Sequence, residues 1–400
     1  MQKSIREQKT VLIILLSNIF IIFLGVGLII PIMPSFKDEM HLSGTTMGYL
    51  VSAFAVTQLV ISPMAGRWVD QYGRKIMIIL GLFLFGVSEL IFGLAQHVSI
   101  LYVSRMLGGI SAAFTMPAVT AYLADITSVR ERPKAMGYMS AAISTGFIIG
   151  PAVGGFIAEL GIRAPFYFAA AIAFVACAFS IFILKEPLSK EELQEISAIS
   201  KKSSFLGDIK KSLKPVYLVA FLLVLVLAFG LSAYEVVFSW FTDIKFGFTP
   251  KDIAVIITIS SIFGALVQLF LFDKMVQKIG EKRLIQISLI VAVVLAALST
   301  VIKGFVVILL VTSFIFLAFD LLRPALTTFL SKSAGKEQGF VAGMNSTYTS
   351  LGTIFGPSIS GALFDVNINY PYLFAAVVMF IGLLLSVLWK EDKMKQALEQ

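Results

Sequence analysis

Residues 146–155 read GFIIGPAVGG and carry three glycines, Gly146, Gly150 and Gly154, at a spacing of four. This spacing places the glycines on one face of a helix, where a second helix can approach backbone to backbone, as helices in membranes do. Pro151 removes one hydrogen bond from the same helix and bends its axis. We predict that this helix lies between two halves of the molecule that separate and close, with ordinary packing of small residues as the alternative.

The same stretch occurs a second time in the chain, 206 residues later. The residues that recur at this offset are Gly137, Gly146, Gly150, Pro151, Gly155, Pro165, Phe168 and Ala169, which return as Gly343, Gly352, Gly356, Pro357, Gly361, Pro371, Phe374 and Ala375. Asp365 stands at the same offset from Glu159. We therefore predict an internal duplication in which this helix has the same place in both halves.

The composition predicts a membrane protein. Of the 400 residues, 58% are hydrophobic and only 14% are charged, about half the charged share of soluble domains. Such a chain cannot cover a water-soluble surface, so its main partner is the lipid bilayer. The first apolar run is too long for a cleaved signal peptide, and we expect it to be retained as a membrane helix. The single cysteine and the two distant histidines leave no metal site and no disulfide framework.

Twelve apolar segments are long enough to be membrane helices. They are residues 11–34, 46–66, 76–95, 99–122, 135–158, 164–184, 216–240, 252–272, 284–302, 304–328, 339–362 and 370–389. The one long polar stretch, 185–215, carries seven lysines and is predicted to be a partly helical, partly mobile linker, with helix around 191–196. We therefore predict an all-α membrane protein with two six-helix bundles, 1–184 and 216–400, joined by the cytoplasmic linker 185–215.

The distribution of positive charge predicts the orientation. With both termini in the cytoplasm, 25 of the 32 Lys and Arg fall in inner segments and 5 in outer loops, and Arg105 and Arg323 lie inside helices. Cytoplasmic loops carry such an excess of Lys and Arg. The bias also explains the net charge of +8 without a nucleic acid partner.

The second inner loop reads GRWVDQYGRK, from Gly66 to Lys75. Gly66 and Gly73 permit a tight turn between two long helices. Asp70 is the acid in this basic loop, among Arg67, Arg74 and Lys75. It is predicted to accept from a helix N-terminus or to pair with an arginine, latching the cytoplasmic side. The alternative is an ordinary solvated carboxylate. In the second copy, DKMVQKIGEKR, Gly280 matches Gly73 but Gln277 replaces the acid.

Three stretches together carry a family resemblance: GRWVDQYGRK, LYVSRMLGGISAA (101–113) and GFIIGPAVGG. They resemble the signature motifs of the major facilitator superfamily, and the third resembles that of its drug–proton antiporters. The sequence is most similar to bacterial multidrug efflux pumps of the NorA, Bmr and Blt type, through GYMSAAISTGF, FGLSAYE, FDLLRPA and GMNST. The resemblance covers the whole chain. It implies a twelve-helix, alternating-access exporter of lipophilic, often cationic, drugs in the cell membrane, associated with antibiotic resistance.

Five ionisable residues fall within predicted spans: Glu89, Arg105, Glu235, Asp320 and Arg323. Each costs about 2.5–3.5 kcal/mol to insert on translocon scales, so these residues should face the bundle interior or water. Because burial in an apolar cavity favours the protonated carboxyl group and a nearby arginine opposes this, such an acid can bind and release a proton. By resemblance, Glu235 and Asp320 match the proton-coupling acids of the efflux pumps and Arg105 matches the motif arginine of helix 4, while Glu89 has a structural or a functional role.

Aromatic and polar side chains at helical spacing are candidate cavity residues. They are Phe23, Ile30, Phe54, Gln58, Ser144, Phe147, Phe238, Phe316 and Phe319, with Asn345 in the GMNST motif. Phe316 and Phe319 are predicted to share a helix face with Asp320. Rings attract cations, and a carboxylate neutralises them; for any single ring, plain packing is the alternative. By resemblance, Phe23, Phe54, Gln58, Phe147 and Phe319 match cavity-lining positions of the pumps.

The predicted function is export of small-molecule drugs in exchange for protons by a monomer. The nearest rival is a proton-coupled importer or exporter of a specific metabolite on the same fold. A channel would need a continuous polar stripe, and an enzyme would need a catalytic cluster, so we expect neither. No GxxxxGK[ST] motif is present, so ATP is not the expected energy source.

Overall fold

A computed structural model describes residues 9–128, 131–189, 191–193, 205–333 and 338–388, and all regular structure in these residues is helical. The helices are α1 Lys9–Ile29, α2 Met33–Glu39, α3 Gly44–Tyr72, α4 Arg74–Leu94, α5 Val98–Ile126, α6 Arg132–Ile157, α7 Ala164–Ile183, α8 Phe205–Ser212, α9 Pro215–Phe246, α10 Pro250–Ile279, α11 Glu281–Leu298, α12 Phe305–Ser333, α13 Gln338–Val366 and α14 Tyr370–Leu388. Two short 3₁₀ turns, Ile30–Ile32 and Ala158–Leu160, extend α1 and α6.

Eleven of the predicted apolar segments each fall on one long helix, whereas the first, 11–34, runs through α1 and the Ile30–Ile32 turn into α2. Ten of the resulting segments are long and apolar enough to cross a membrane. The other two helices are less apolar for visible reasons. α11 has only 18 residues and begins with three charged ones, and α13 is rich in glycine, serine and threonine. In the linker, 191–193 are helical, as predicted, and the rest of 191–196 lies outside the described residues.

The described helices form two compact units. The first, unit 1, contains residues 9–41 and 53–193. The second, unit 2, contains Leu42–Ser52, which includes the first turns of α3, and residues 205–388. The core of unit 1 is a continuous cluster of aliphatic and aromatic side chains contributed by α1, α3, α4, α5 and α7. Asn18 of α1 and Ser180 of α7 form a buried hydrogen bond of 2.9 Å beside it.

The glycine face of α6 lies against α1. A methyl group on Gly150 would lie 2.7 Å from the Cα atom of Gly27, and one on Gly146 would lie 2.9 Å from the backbone of Leu24. Gly154 approaches the backbone of Leu28 even more closely. The predicted backbone-to-backbone helix contact is therefore confirmed. The prediction that this face lies between two halves is wrong, because α1 of the same unit occupies it.

The second copy of the glycine stretch packs in the same way inside unit 2. A methyl group on Gly352 of α13 would lie 2.7 Å from the backbone nitrogen of Phe229, and one on Gly356 would lie 2.9 Å from the Phe229 carbonyl oxygen. Phe229 belongs to α9, the first long helix of the second half. The pair α9 and α13 thus repeats the pair α1 and α6, which is the structural counterpart of the sequence repeat.

The turn between α3 and α4 consists of Gly73 alone. Its φ of 97° lies where only glycine is free of strain. Gly280, its repeat partner between α10 and α11, has a φ of 80°. The prediction of a glycine turn is confirmed at Gly73 and wrong at Gly66, because α3 continues as a regular helix to Tyr72. Gly66 thus lies in the helix, with open space where a side chain would be.

The first turn of α3 is held by Asp365, a residue of α13 in unit 2. Its Oδ1 accepts from the backbone nitrogen of Gly44 at 2.6 Å, and its Oδ2 accepts from the backbone nitrogen of Thr45 at 2.7 Å. The first backbone N–H groups of a helix have no partner inside it and carry a partial positive charge. The Asp365 carboxylate accepts hydrogen bonds from two of these N–H groups, and its negative charge complements their partial positive charge.

Candidate functional site

Three of the charges predicted inside membrane helices come together in unit 2. Glu235 lies on α9, and Asp320 and Arg323 lie on α12. Asp320 is half-buried, whereas Glu235 and Arg323 are exposed on the surface of the chain. Arg323 interacts electrostatically with both acids, and Asp320 interacts with Glu235. Two carboxyl groups and one guanidinium thus share one electrostatic site within membrane-spanning helices.

The prediction that Phe319 shares a helix face with Asp320 is wrong. Asp320 faces Gly264 of α10, whereas the ring of Phe319 lies beside Gly230 of α9. Consecutive residues of a helix point about 100° apart, so i and i+1 do not face the same neighbour. Phe319 is therefore a packed side chain between helices, with only 2% of its surface exposed.

Phe238 and Phe316 belong to an aromatic cluster inside unit 2. The ring of Tyr234 stacks on Phe238 at 5.8 Å between centroids and meets the edge of Phe316 at 6.2 Å. Tyr372 of α14 packs on the same tyrosine at 5.0 Å. Phe238 and Phe316 are buried, so in this structure both rings fill the core. Their predicted contact with substrate stays a prediction.

Arg105, the motif arginine of α5, pairs with Glu89 of α4 inside unit 1. Its Nη2 lies 4.0 Å from Oε1 of Glu89, and its guanidinium carbon lies 4.0 Å above the centre of the Phe92 ring. Glu89 is only 2% exposed. Within the described residues, Oε2 of Glu89 has no hydrogen-bond partner. A buried, incompletely satisfied ion pair is costly, so these two charges mark a second polar centre, in unit 1.

The structure brings together two of the predicted cavity rings of unit 1. Phe23 of α1 and Phe147 of α6 have ring centroids 5.0 Å apart and a tilt of 58°. The Phe147 side chain remains 37% exposed, and Ser144, one turn earlier, is also exposed. Ile30 is half-buried in the 3₁₀ turn that follows α1. This face can offer both ring surface and a hydroxyl group to a ligand.

Phe54 and Gln58 of α3 lie where α3 crosses α5. A methyl group on Gly108 would lie 3.1 Å from the Phe54 ring, and one on Gly109 would lie 3.1 Å from the backbone nitrogen of Gln58. Both side chains are half-buried, as is Asn345 of α13 in unit 2. The glycine pair of the LYVSRMLGGISAA motif therefore sets how closely the helix carrying Phe54 approaches α5.

Arg74, directly after the Gly73 turn, has a side chain that is buried among carboxylates. Its Nε donates to Oδ2 of Asp125 on α5 at 2.8 Å, and its Nη2 lies 3.5 Å from Oδ1 of Asp70. The N-terminus of α4 is capped by Glu186, which accepts from the backbone nitrogens of Arg74 and Lys75 at 3.1 and 2.9 Å. Of our three alternatives for Asp70, a helix N-terminus, an arginine or solvent, the structure shows the arginine pair.

Sequence reasoning missed several residues that organise these sites. Asp125, Glu186 and Asp365 each bind a group on another helix, and each is distant in sequence from its partner. Gly264 was missed although it is the only glycine within α10. A lone glycine inside a long apolar helix is a usable signal, because it costs about 1 kcal/mol relative to alanine and calls for a packing reason.

Comparison with known proteins gives concordant matches over the whole chain. The family model of the Major Facilitator Superfamily matches residues 15–244 and again 220–399. The chain is 67% identical over 393 residues to Multidrug resistance protein 2 of Bacillus subtilis (strain 168), covering 98% of each chain. It is 41% identical over 389 residues to Quinolone resistance protein NorA of Staphylococcus aureus (strain MRSA252), covering 96% of this chain and 97% of the relative.

Among solved structures, the chain resembles a bacterial homolog of the human lysosomal transporter Spinster. The TM-score is 0.78 at 14% identity, with 95% of this chain and 96% of the other covered. At this identity the likeness concerns the fold alone.

Proposed function

Because the chain belongs to the Major Facilitator Superfamily, we propose that it is a secondary active exporter that expels lipophilic, often cationic, drugs in exchange for protons. The predicted resemblance to NorA-type multidrug pumps is confirmed. The chain is a multi-pass membrane transporter rather than an enzyme. Two relatives carry the names of multidrug and quinolone resistance proteins, which supports a broad drug spectrum here.

The proposed layout has twelve spans with both termini in the cytoplasm. Ten candidate spans and the repeated family match support it, as does the excess of Lys and Arg in the segments assigned to the inner side. The functional halves are residues 1–184 and 216–400, joined by the linker 185–215. We propose that the two-sided bundle rocks about the site, which opens alternately to either side of the membrane. The protein works as a monomer.

The single observation that carries proton exchange is the group of Glu235, Asp320 and Arg323 in unit 2. Two acids and one arginine within electrostatic range of one another form a site whose net charge changes by one with each proton. A drug cation and a proton compete for the same carboxylates, so binding of one releases the other. Arg105, with Glu89 as its partner, is the fourth proposed proton-coupling residue.

The drug is proposed to bind beside these acids through side chains of both halves. The residues assigned to it are Phe23, Ile30, Phe54, Gln58, Ser144, Phe147, Phe238, Phe316, Phe319 and Asn345. The exposed part of the Phe23–Phe147 pair offers a ring surface for cation–π attraction. Few directional contacts and large apolar area make such a site tolerant of many drugs.

Conformational gating is assigned to two segments. They are the turn region with Gly66, Asp70, Gly73 and Arg74, and the glycine face with Gly146, Gly150, Pro151 and Gly154. The buried Arg74 with its two carboxylates supports a role for the turn as a rigid joint between α3 and α4. The backbone contact of α6 with α1 supports a role for the glycines in keeping one half stiff while it moves.

The test uses everted membrane vesicles with an acidic lumen. Adding ethidium outside should make protons leave the lumen, so the lumenal pH rises, and vesicles lacking the protein should not respond. A proton-coupled importer would carry protons inward with its substrate, which gives the opposite sign. An ethidium transport rate that is the same with and without the pH gradient would contradict proton exchange.

A further inference from the structure

Gly264 lies near the middle of α10, directly against the carboxyl group of Asp320 on α12. The three atoms nearest to a methyl group placed on Gly264 all belong to Asp320. Its Oδ2 would overlap the methyl group, its Cγ would lie at 3.3 Å and its Cβ at 3.8 Å. The space that any side chain at this position would occupy is thus taken by one carboxylate.

The two helices are tied together near this contact. Ser260, one turn before Gly264 on α10, and Ser313 on α12 share a buried hydrogen bond of 3.0 Å between their hydroxyl oxygens. Opening the helices to admit a methyl group would break this bond and expose packed surface. The carboxylate is the group that can move, so a side chain at Gly264 would displace Asp320 rather than α10.

The charges around Asp320 are few. Arg323 on its own helix and Glu235 on α9 lie in electrostatic range, and α10 presents the uncharged Gly264. On the helices packed against α12, the other acidic and basic residues whose side chains the structure describes lie near the helix ends. They are Asp243 and Lys245 of α9, Lys251, Asp252, Lys274 and Lys278 of α10, Glu281, Lys282 and Arg283 of α11, and Asp365 of α13. The position of the Asp320 carboxylate relative to Arg323 and Glu235 therefore decides its electrostatic environment.

We propose that Gly264 is a positioning residue for proton exchange: by lacking a side chain, it sets where the Asp320 carboxylate lies relative to Arg323 and Glu235. This rests on the proposed function of Asp320 as a proton-coupling acid. Gly264 itself touches neither proton nor drug in this scheme. Its effect is steric and acts through one neighbour.

The first experiment compares Gly264→Ala with wild type in everted vesicles over a range of external pH. Misplacing a reacting group by 1 Å can cost about 100-fold, so we expect proton-driven ethidium transport to fall about tenfold or more. The pH of half-maximal transport should also shift, and ethidium binding should change much less than turnover. The matched control is Gly343→Ala on α13, where a methyl group meets open space and the wild-type pH profile should remain.

The second experiment tests the contact itself, through thermal stability in detergent. Gly264→Ala should lower the midpoint of unfolding in the wild-type background. In the Asp320→Ala background the carboxylate is gone, so the added methyl group fits and the same change should cost little or nothing. If the Gly264→Ala variant does not accumulate in the membrane, the amount of folded double variant, Gly264→Ala with Asp320→Ala, is measured instead, and we expect it to be restored.

The outcomes separate the two levels of the proposal. A wild-type pH profile in Gly264→Ala would overturn the positioning role. An equal loss of stability in both backgrounds would mean that Gly264 packs against something other than Asp320, and would also overturn it. If wild-type vesicles show no proton exchange at all, the proposed function fails, whereas the stability comparison still decides whether the two residues are in contact.

Discussion

Arg74 shows what a single residue gains from the fold. From the loop sequence, an arginine is one of the alternatives for the partner of Asp70, and the structure shows that this arginine is Arg74, four positions away. Its shorter contact, with Asp125 at 2.8 Å, joins residues 51 positions apart. The cap by Glu186 joins residues more than 100 positions apart. Local pairs follow from spacing, whereas these two partners require knowing how α4, α5 and α7 pack.

Asp70→Asn should impair transport while sparing the fold. Arg74 keeps the Asp125 contact, and Asp70 is partly exposed, so the loss of stability should be about 1 kcal/mol or less. If Asp70 acts in gating, turnover of bound drug should fall several-fold with ethidium affinity unchanged, as measured by fluorescence binding and vesicle transport. Asp125→Asn is the matched control and should lower thermal stability more. Reduced binding with normal turnover would contradict a gating role.

At the scale of helices, sequence periodicity predicted which segments are helical but not which helices pack against each other. Every apolar segment coincides with helical structure, and the glycine spacing of four correctly predicts a close helix contact. The partner of the glycine face was wrong, because spacing defines which face is bare and not which helix covers it. α1, the helix that covers this face, contributes its own Gly27. Only the three-dimensional structure shows that Gly27 faces Gly150. The helix ends also differ: α3 continues six residues past its predicted end to Tyr72, since nothing before Gly73 stops it.

Gly150→Ala should therefore destabilise unit 1 rather than only block its movement. Its methyl group would lie 2.7 Å from the Gly27 Cα, and backbone cannot rotate away as a side chain can. Overpacking costs about 1–3 kcal/mol, and Gly150→Leu should cost more and abolish transport. Thermal unfolding in detergent measures the effect, with Gly137→Ala on the same helix as control, because a methyl group there meets nothing within 4 Å. Wild-type stability of Gly150→Ala would contradict the contact.

At the scale of the whole chain, the duplication explains the architecture but not the chemistry. The 206-residue offset maps α1 onto α9 and α5 onto α12, and the glycine contacts recur accordingly. The charged residues inside the membrane spans do not recur. Glu235, Asp320 and Arg323 correspond to Ile29, Phe114 and Pro117, and Glu89 and Arg105 correspond to Leu295 and Val311. Each half thus carries a different set of membrane charges. The repeat predicts where helices lie, whereas each of these charged residues occurs in one copy only.

This asymmetry places Glu235 and Asp320, the two proposed coupling acids, in one half, and we propose that they carry two protons per cycle. Exchanging one proton for one monovalent cation moves no net charge, so only the pH gradient drives export, at about 1.4 kcal/mol per unit. Two protons per cation add one net charge, worth about 2.3 kcal/mol per 100 mV. With a gradient of one pH unit and a potential of 100 mV, two protons and one net charge together supply about 5 kcal/mol, which supports a several-thousandfold drug gradient.

We therefore expect export of monovalent cations to be electrogenic. In everted vesicles with no pH gradient, a lumen-positive potassium–valinomycin potential should drive ethidium uptake by the wild type, because the net positive charge leaves the lumen. Asp320→Asn or Glu235→Gln should keep part of the drug binding and lose most of this voltage response, since either removes one proton site. A dication should show no voltage response even in the wild type, because two protons then balance its charge. If voltage leaves wild-type uptake of ethidium unchanged, one proton is exchanged per drug cation. One of the two acids then neutralises Arg323 and does not carry a proton.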